Sequence, residues 1–396
     1  MKKLLLISTA VLALIGAASW FGVDRYVRTA TPAAVGGSAS QTSPDAVDFA
    51  SVEPRKTKSP MSSARDPISQ LLSSALVTMR QGKPADVEAV LSRLDEALGG
   101  GRGNVEATIT AILEFLKTGQ DAATGRGFII GEGGVLTEST SLRVYLMDKL
   151  GQLSREVGSE AALVVAREIL QSFGSADEWA VSMRNVAWAD PGSQEFLQDR
   201  IAAMLNHREW REQSSTGMLE AFDVIVHTGA MVTVPELDRL IAVKNSPLAR
   251  ASSVALDRLA GQKGLELTSL LNQQPELLSA APLLRADLFA HADLGVPEQR
   301  TQLENYLLRS DVDASERKKF FSSLIQTGQF LSNNLITPAV SPETPDQAAA
   351  RLDVLTRTVN GWLRDDRFRT LTVELTALGA KVNHIIDEVT ADEISE

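Results

Sequence analysis

The chain has 396 residues, a formal net charge of −11, and a hydrophobic fraction of 44%. It contains no cysteine, which excludes disulfides, thiolate nucleophiles and cysteine-ligated metal sites. The acidic balance argues against nucleic acid or an anionic membrane surface as a partner. A chain of this length can nevertheless bury a sizeable core without disulfides.

Residues 1–28 begin with a basic pair, Lys2-Lys3, followed by an apolar run over 4–23. Gly16-Ala17-Ala18 is typical of a small-residue cleavage site and predicts a secretory signal peptide. The run continues past this point and is long enough to cross a bilayer, which takes roughly 20 residues. An uncleaved signal anchor is therefore the favoured interpretation, with the anchor in the inner membrane and the later residues in the bacterial periplasm. Cleavage would instead release the protein into the periplasm.

Residues 29–66 are rich in Ala, Ser, Thr, Pro and Gly. Such a segment cannot bury enough apolar surface to offset the entropy lost on ordering, so we predict a disordered linker. The pattern then changes, and residues 67–396 are predicted to form one helical-repeat domain. Within it, apolar residues recur with helical spacing in a series of short segments, including 139–153, 159–173, 176–188, 193–206 and 216–228.

The clearest unit spans 233–262. Thr233 and Glu236 have the spacing of a capping box, and Ser246-Pro247 is a typical start for a second helix, which Gly261 is expected to end. With Pro-x-Ala-Arg at 247–250 and Ala-Leu-x-x-Leu at 255–259, the unit resembles HEAT-type repeats. That resemblance implies antiparallel helix pairs. The predicted fold is all-α: an irregular α-solenoid of antiparallel helix pairs with one or two small β-hairpins.

The first predicted hairpin is "FIIGEGGVLT", 128–137, in which strand formers flank a Gly-rich turn. A second is predicted at 330–337, where Asn333-Asn334 lies between two apolar runs. If the two join, chain positions near 130 and 333 come together. Each hairpin is either a structural corner packed on helices or an open edge that accepts a partner strand. On the second interpretation, Phe128 and Phe330 are candidate partner-binding residues.

No catalytic, cofactor-binding or metal-binding residues are predicted, since the four histidines are scattered and no nucleotide-binding or hydrolase motif is present. The segment "HREWREQ", 207–213, combines Arg208, Trp210 and Arg211. Trp and Arg dominate interface hot spots, so these three residues are candidates for partner contact.

These features predict an exported, membrane-anchored helical-repeat scaffold that binds an envelope protein or peptide. Its only contact with the membrane would be through the N-terminal segment. The alternative is a cell-wall-acting hydrolase, cleaving glycans or peptides, whose site is assembled only in three dimensions.

Overall fold

A computed structural model describes residues 67–99, 105–243, 245–325, 333–339 and 343–394. Its helices in the first half are α1 Pro67–Gln81, α2 Pro84–Gly99, α3 Val105–Lys117, α4 Leu142–Val157, α5 Ala161–Ile169, α6 Ala176–Ala189 and α7 Gln194–Asn206. Those that follow are α8 Arg208–Glu212, α9 Thr216–Glu220, α10 Asp223–Thr228, α11 Val234–Ile241, α12 Pro247–Gln273, α13 Pro282–Ala290, α14 Pro297–Leu307, α15 Ala314–Ser323, α16 Pro345–Arg364 and α17 Thr372–Ile394. Two strands, β1 Ile129–Ile130 and β2 Leu136–Glu138, lie between α3 and α4.

Helices that are close in sequence pack against one another along the array. The most extensive contacts are those of α5 with α6, α13 with α15, α16 with α17, α11 with α12, and α4 with α6. Buried leucine, valine, isoleucine and aromatic side chains from all these helices form a continuous core. The predicted all-α fold of packed helix pairs with a small hairpin is therefore confirmed.

The unit at 233–262 forms the expected helix pair, α11 and α12. The Ser246 hydroxyl accepts a hydrogen bond from the Ala249 amide at 2.9 Å, and Pro247 occupies the first turn of α12. Leu256 and Leu259 on the predicted apolar stripe are fully buried. The stripe therefore drives the packing of α12, as expected for an amphipathic helix.

One detail of the prediction for this unit is wrong, and another is displaced by two residues. Thr233 does not cap α11, because its hydroxyl donates to the Ala230 carbonyl at 2.7 Å while Glu236 pairs with Arg239 at 2.8 Å. The end predicted at Gly261 lies two residues before Lys263, whose non-helical backbone (φ −131°, ψ 39°) divides α12 into two helical segments. The first segment of α12 therefore ends close to the predicted position, and a second segment continues to Gln273. The segment predicted as one helix over 216–228 is likewise divided into α9 and α10.

The hairpin predicted at 128–137 is present. β1 and β2 pair antiparallel, with Ile129 opposite Glu138 and Ile130 opposite Leu136. A short 3₁₀ turn over 132–134 joins them. The hairpin is held on the helices by polar groups as well as apolar ones, because the Leu136 amide donates to the Asp148 carboxylate of α4 at 3.1 Å.

The second predicted hairpin, 330–337, falls partly outside the described residues, and Phe330 is among those not described. Residues 335–337 form bends, so no strand is present in the described part of this segment. The two regions nevertheless meet, because the Asn333 side-chain amide donates to the Ile130 carbonyl at 3.4 Å. We name residues 333–339 the strap, since they lie between α15 and α16 in sequence yet contact the hairpin.

The segment predicted to enter the membrane, within 1–28, lies outside the described residues. Among the described helices, none combines the length and the apolar character needed to cross a bilayer.

Candidate functional site

Four aromatic rings gather where α6 and α8 meet. We name Phe173, Trp179, His207 and Trp210 the aromatic surface. The Phe173 ring lies between two others, stacked on Trp179 and on His207 with centroids 4.7 Å apart in both cases. Trp210 approaches Trp179 edge-on at 5.3 Å. These separations are those of favourable aromatic pairs, so the rings stabilise one another in fixed positions.

Local structure explains how the rings are placed. Trp179 is in the first turn of α6, and its indole N–H donates to the Ser172 carbonyl at 2.5 Å. His207 precedes α8, and its Nδ1 accepts a hydrogen bond from the Trp210 amide at 3.4 Å. One histidine thus serves both as a ring in the stack and as the cap of a helix.

The aromatic surface runs from a buried base to an exposed edge. Trp179 is fully buried, His207 and Trp210 are partly buried, and Phe173 is 46% exposed. A large exposed aromatic side chain that its neighbours hold rigidly loses little conformational entropy on binding. The arrangement therefore has the chemistry of a protein-binding hot spot, with an anchor ring already positioned.

The structure places all three candidates from the "HREWREQ" segment in α8. Trp210 is part of the ring cluster, as described above. Arg208 is 88% exposed and pairs with Glu212 at 2.8 Å, and Arg211 lies 3.5 Å from Glu236. The Arg208–Glu212 pair is exposed and contributes little to stability, so the Arg208 guanidinium can exchange this partner for another. The side chain of Glu236 is only 12% exposed, so its pair with Arg211 is partly buried.

The other two candidates from the sequence are not at this surface. Phe128 is only 3% exposed and belongs to the core, so its side chain cannot meet a partner while the hairpin stays folded. Phe330 lies outside the described residues. The large apolar side chain that the hairpin exposes is instead that of Ile129.

Sequence reasoning did not identify Phe173. The sequence feature that could have indicated this residue is its position directly before Gly174, just past the end of α5. Apolar residues at such positions usually pack on the helix that they follow, so the pattern alone does not distinguish an exposed anchor from a buried one.

Glu220, Asp223 and Arg258 form a second cluster, whose charged groups are the kind used in enzymatic acid–base chemistry. Burial raises the pKa of Glu220, at the end of α9, and the neighbouring charge of Asp223 raises it further, while Arg258 opposes the shift. Carboxyl groups with a raised pKa beside a second carboxylate are a common feature of acid–base sites. However, both oxygens of Asp223 already accept hydrogen bonds from the strap.

Two hollows on the described part of the chain do not extend this cluster. The larger is an open groove of about 470 Å³ between the start of α11 and the end of α12, and Glu220 does not line it. The other, near the hairpin, has a volume of about 40 Å³. Over the same described residues, no three His, Asp or Glu side chains are grouped closely enough to hold a metal ion.

No known protein family, curated protein or solved structure matches this chain.

Proposed function

We propose that this chain is an exported scaffold of the bacterial cell envelope that binds another envelope protein or peptide at the aromatic surface. The observation that carries the proposal is the exposed Phe173 ring, fixed between Trp179 and His207. Trp210 packs edge-on against Phe173, and the same short helix, α8, carries Arg208 and Arg211. Trp and Arg are residue types that dominate binding hot spots.

The proposal includes an anchor in the inner membrane and a periplasmic location for the helical domain. Lys2-Lys3 before the apolar run over 4–23 supports this orientation, because basic residues favour the cytoplasmic side. Release into the periplasm after cleavage is the alternative. The resemblance of 233–262 to HEAT repeats agrees with a scaffold role, since stacked helix pairs present extended binding surfaces.

Chemical crosslinking followed by purification of the full-length protein from the envelope tests partner binding. Phe173→Ala should reduce the retained partner by about tenfold or more, the loss expected for a hot-spot residue. Val373→Ala is the matched control, because Val373 is also exposed, at 79%, and lies on α17. Equal retention by the two folded variants would contradict the proposal.

A cell-wall hydrolase remains the second candidate function, and the raised pKa of Glu220 is the observation that favours it. A carboxyl group whose pKa is raised keeps its proton to a higher pH than usual and can act as a general acid on a glycosidic or peptide bond. If this is correct, the protein releases soluble fragments from purified cell wall, and Glu220→Gln abolishes the release without unfolding the chain. Absence of release by the unmodified protein would eliminate this candidate.

A further inference from the structure

The strap is bound to the helical array as a peptide is bound to a receptor. Leu335 is fully buried, and Asn334 and Thr337 are nearly so, whereas Pro338 and Ala339 are exposed. The buried side chains belong to a segment without regular secondary structure, and they contact elements far away in sequence. The contacts of the strap with these elements therefore resemble those of a bound peptide with its receptor.

One carboxylate recognises the strap's main chain and a hydroxyl together. Asp223 accepts hydrogen bonds from the Ile336 amide at 2.6 Å, the Thr337 amide at 2.9 Å and the Thr337 hydroxyl at 2.7 Å. Arg258 pairs with Asp223 at 2.8 Å and also donates to the Thr337 hydroxyl oxygen. The hydroxyl thus accepts one hydrogen bond and donates another, which a methyl group cannot do.

The hairpin forms the other wall of this surface. Gly134 packs so closely on the Leu335 carbonyl that a Cβ at this position would overlap it. The Trp188 ring lies beside Gly134, and Asn333 reaches the Ile130 carbonyl of β1. Because glycine has no side chain, the backbone of the strap can come into close contact with the hairpin turn at Gly134.

Main-chain hydrogen bonds combined with sockets for particular side chains are the means by which proteins bind extended peptides. We propose that the surface formed by the hairpin turn, Asp223 and Arg258 is a peptide site, and that the strap occupies it in cis. The external ligand is an extended segment of an envelope protein with an aliphatic residue two positions before Thr or Ser.

This inference rests on the proposed role in partner binding, but it concerns a surface separate from the aromatic one. The strap is covalently tethered, so it competes at the high effective concentration of an intramolecular ligand, on the order of millimolar. An external segment should therefore bind weakly to the unmodified chain, and more tightly once the strap's own contacts are weakened.

A labelled synthetic peptide with the strap sequence, Asn-Asn-Leu-Ile-Thr-Pro-Ala, tests the inference by fluorescence anisotropy with the full-length protein. The chain variant Thr337→Val keeps the shape of the strap but removes its hydroxyl, and it should bind the peptide at least about tenfold more tightly than the unmodified chain. Pro338→Ala, at an exposed strap position, is the matched control and should leave peptide binding unchanged.

Specificity is tested on the peptide. The same peptide carrying the Thr337→Val change should bind the weakened chain about tenfold less tightly, because Asp223 and Arg258 would lose a hydroxyl partner. The inference is overturned if the folded Thr337→Val chain does not bind the peptide, or binds both peptides equally. A concentration-dependent dimer in place of peptide binding would also overturn it, since a second copy would then supply the strap.

Hydrogen exchange of the unmodified chain provides a test that does not depend on any variant folding. The Ile336 and Thr337 amides should exchange faster than core amides of α6, and excess peptide should accelerate them by displacing the strap. Exchange as slow as that of α6, unaffected by peptide, would show that the strap never leaves its site and would refute the inference. Neither test involves Phe173, so failure here is distinguishable from failure of the proposed function.

Discussion

Arg184 of α6 is the residue whose loss should damage the array most clearly. Its side chain is fully buried and donates to the Gly134 carbonyl at 2.7 Å and to Asp148 at 2.5 Å. The guanidinium also lies over the Trp188 ring, 4.1 Å from its centroid. One cation therefore connects the hairpin turn, α4 and α6.

Arg184→Met preserves most of the apolar stem and removes the charge. The Asp148 carboxylate, only 1% exposed, would then be left without its cation, and the Gly134 carbonyl without a donor. Breaking a buried ion pair by removing one partner costs roughly 3–5 kcal/mol in the free energy of unfolding. Because neither group faces solvent, no discount for screening applies.

Guanidinium denaturation, followed by circular dichroism and by tryptophan fluorescence, measures this loss. Arg357→Met is the matched control, since Arg357 pairs with Asp353 on α16 and both side chains are about 70% exposed. That change should cost less than about 0.5 kcal/mol. A loss for Arg184→Met within about 1 kcal/mol of the control would refute the reasoning that the buried pair holds the hairpin in place.

Two further predictions concern the strap contact and pH. Gly133 and Gly134 both have positive φ, 66° and 82°, but only a Cβ at Gly134 would meet Leu335, while one at Gly133 would meet nothing. Gly134→Ala should therefore lower the thermal midpoint clearly more than Gly133→Ala, and equal effects would show that the strap does not press on the turn. Burial lowers the pKa of His291, but the hydrogen bond to Asp257 at 2.8 Å and nearby carboxylates outweigh this, so its pKa is raised. The resulting stability is fully present below the unfolded-state pKa of about 6.5 and is lost as pH rises through the higher folded-state value. His291→Gln should therefore reduce the fall in thermal midpoint between about pH 6 and pH 8, and an unchanged profile would contradict this assignment.

The parts of the fold that could be predicted depend on local chemistry. Helical spacing of apolar residues, the Ser246 cap and the Gly-rich turn each act within a few residues, so the sequence contains all the information needed. Gly261 indicated a helix break that the backbone makes two residues later, at Lys263, because glycine weakens a helix locally.

The parts that could not be predicted depend on contacts between distant residues. Thr233 and Glu236 have capping-box spacing, but the Glu236 carboxylate pairs with two arginines instead. Its pair with Arg211 depends on tertiary packing, and its pair with Arg239 forms along the surface of α11. Asp223 meets Thr337 although more than a hundred residues separate them. No local pattern in either segment indicates such a contact. The same applies to Phe173, whose exposure depends on how α6 and α8 are arranged.

Site-specific photo-crosslinking in the native envelope tests the central claim most directly. A photoreactive phenylalanine analogue at position 173 of the full-length protein should crosslink to one discrete envelope protein. The same analogue at Val373, an exposed control position, should not form that product. Adding Arg211→Ala to the labelled chain should reduce the yield at position 173. No discrete product at position 173, or the same product from both positions, would contradict the account.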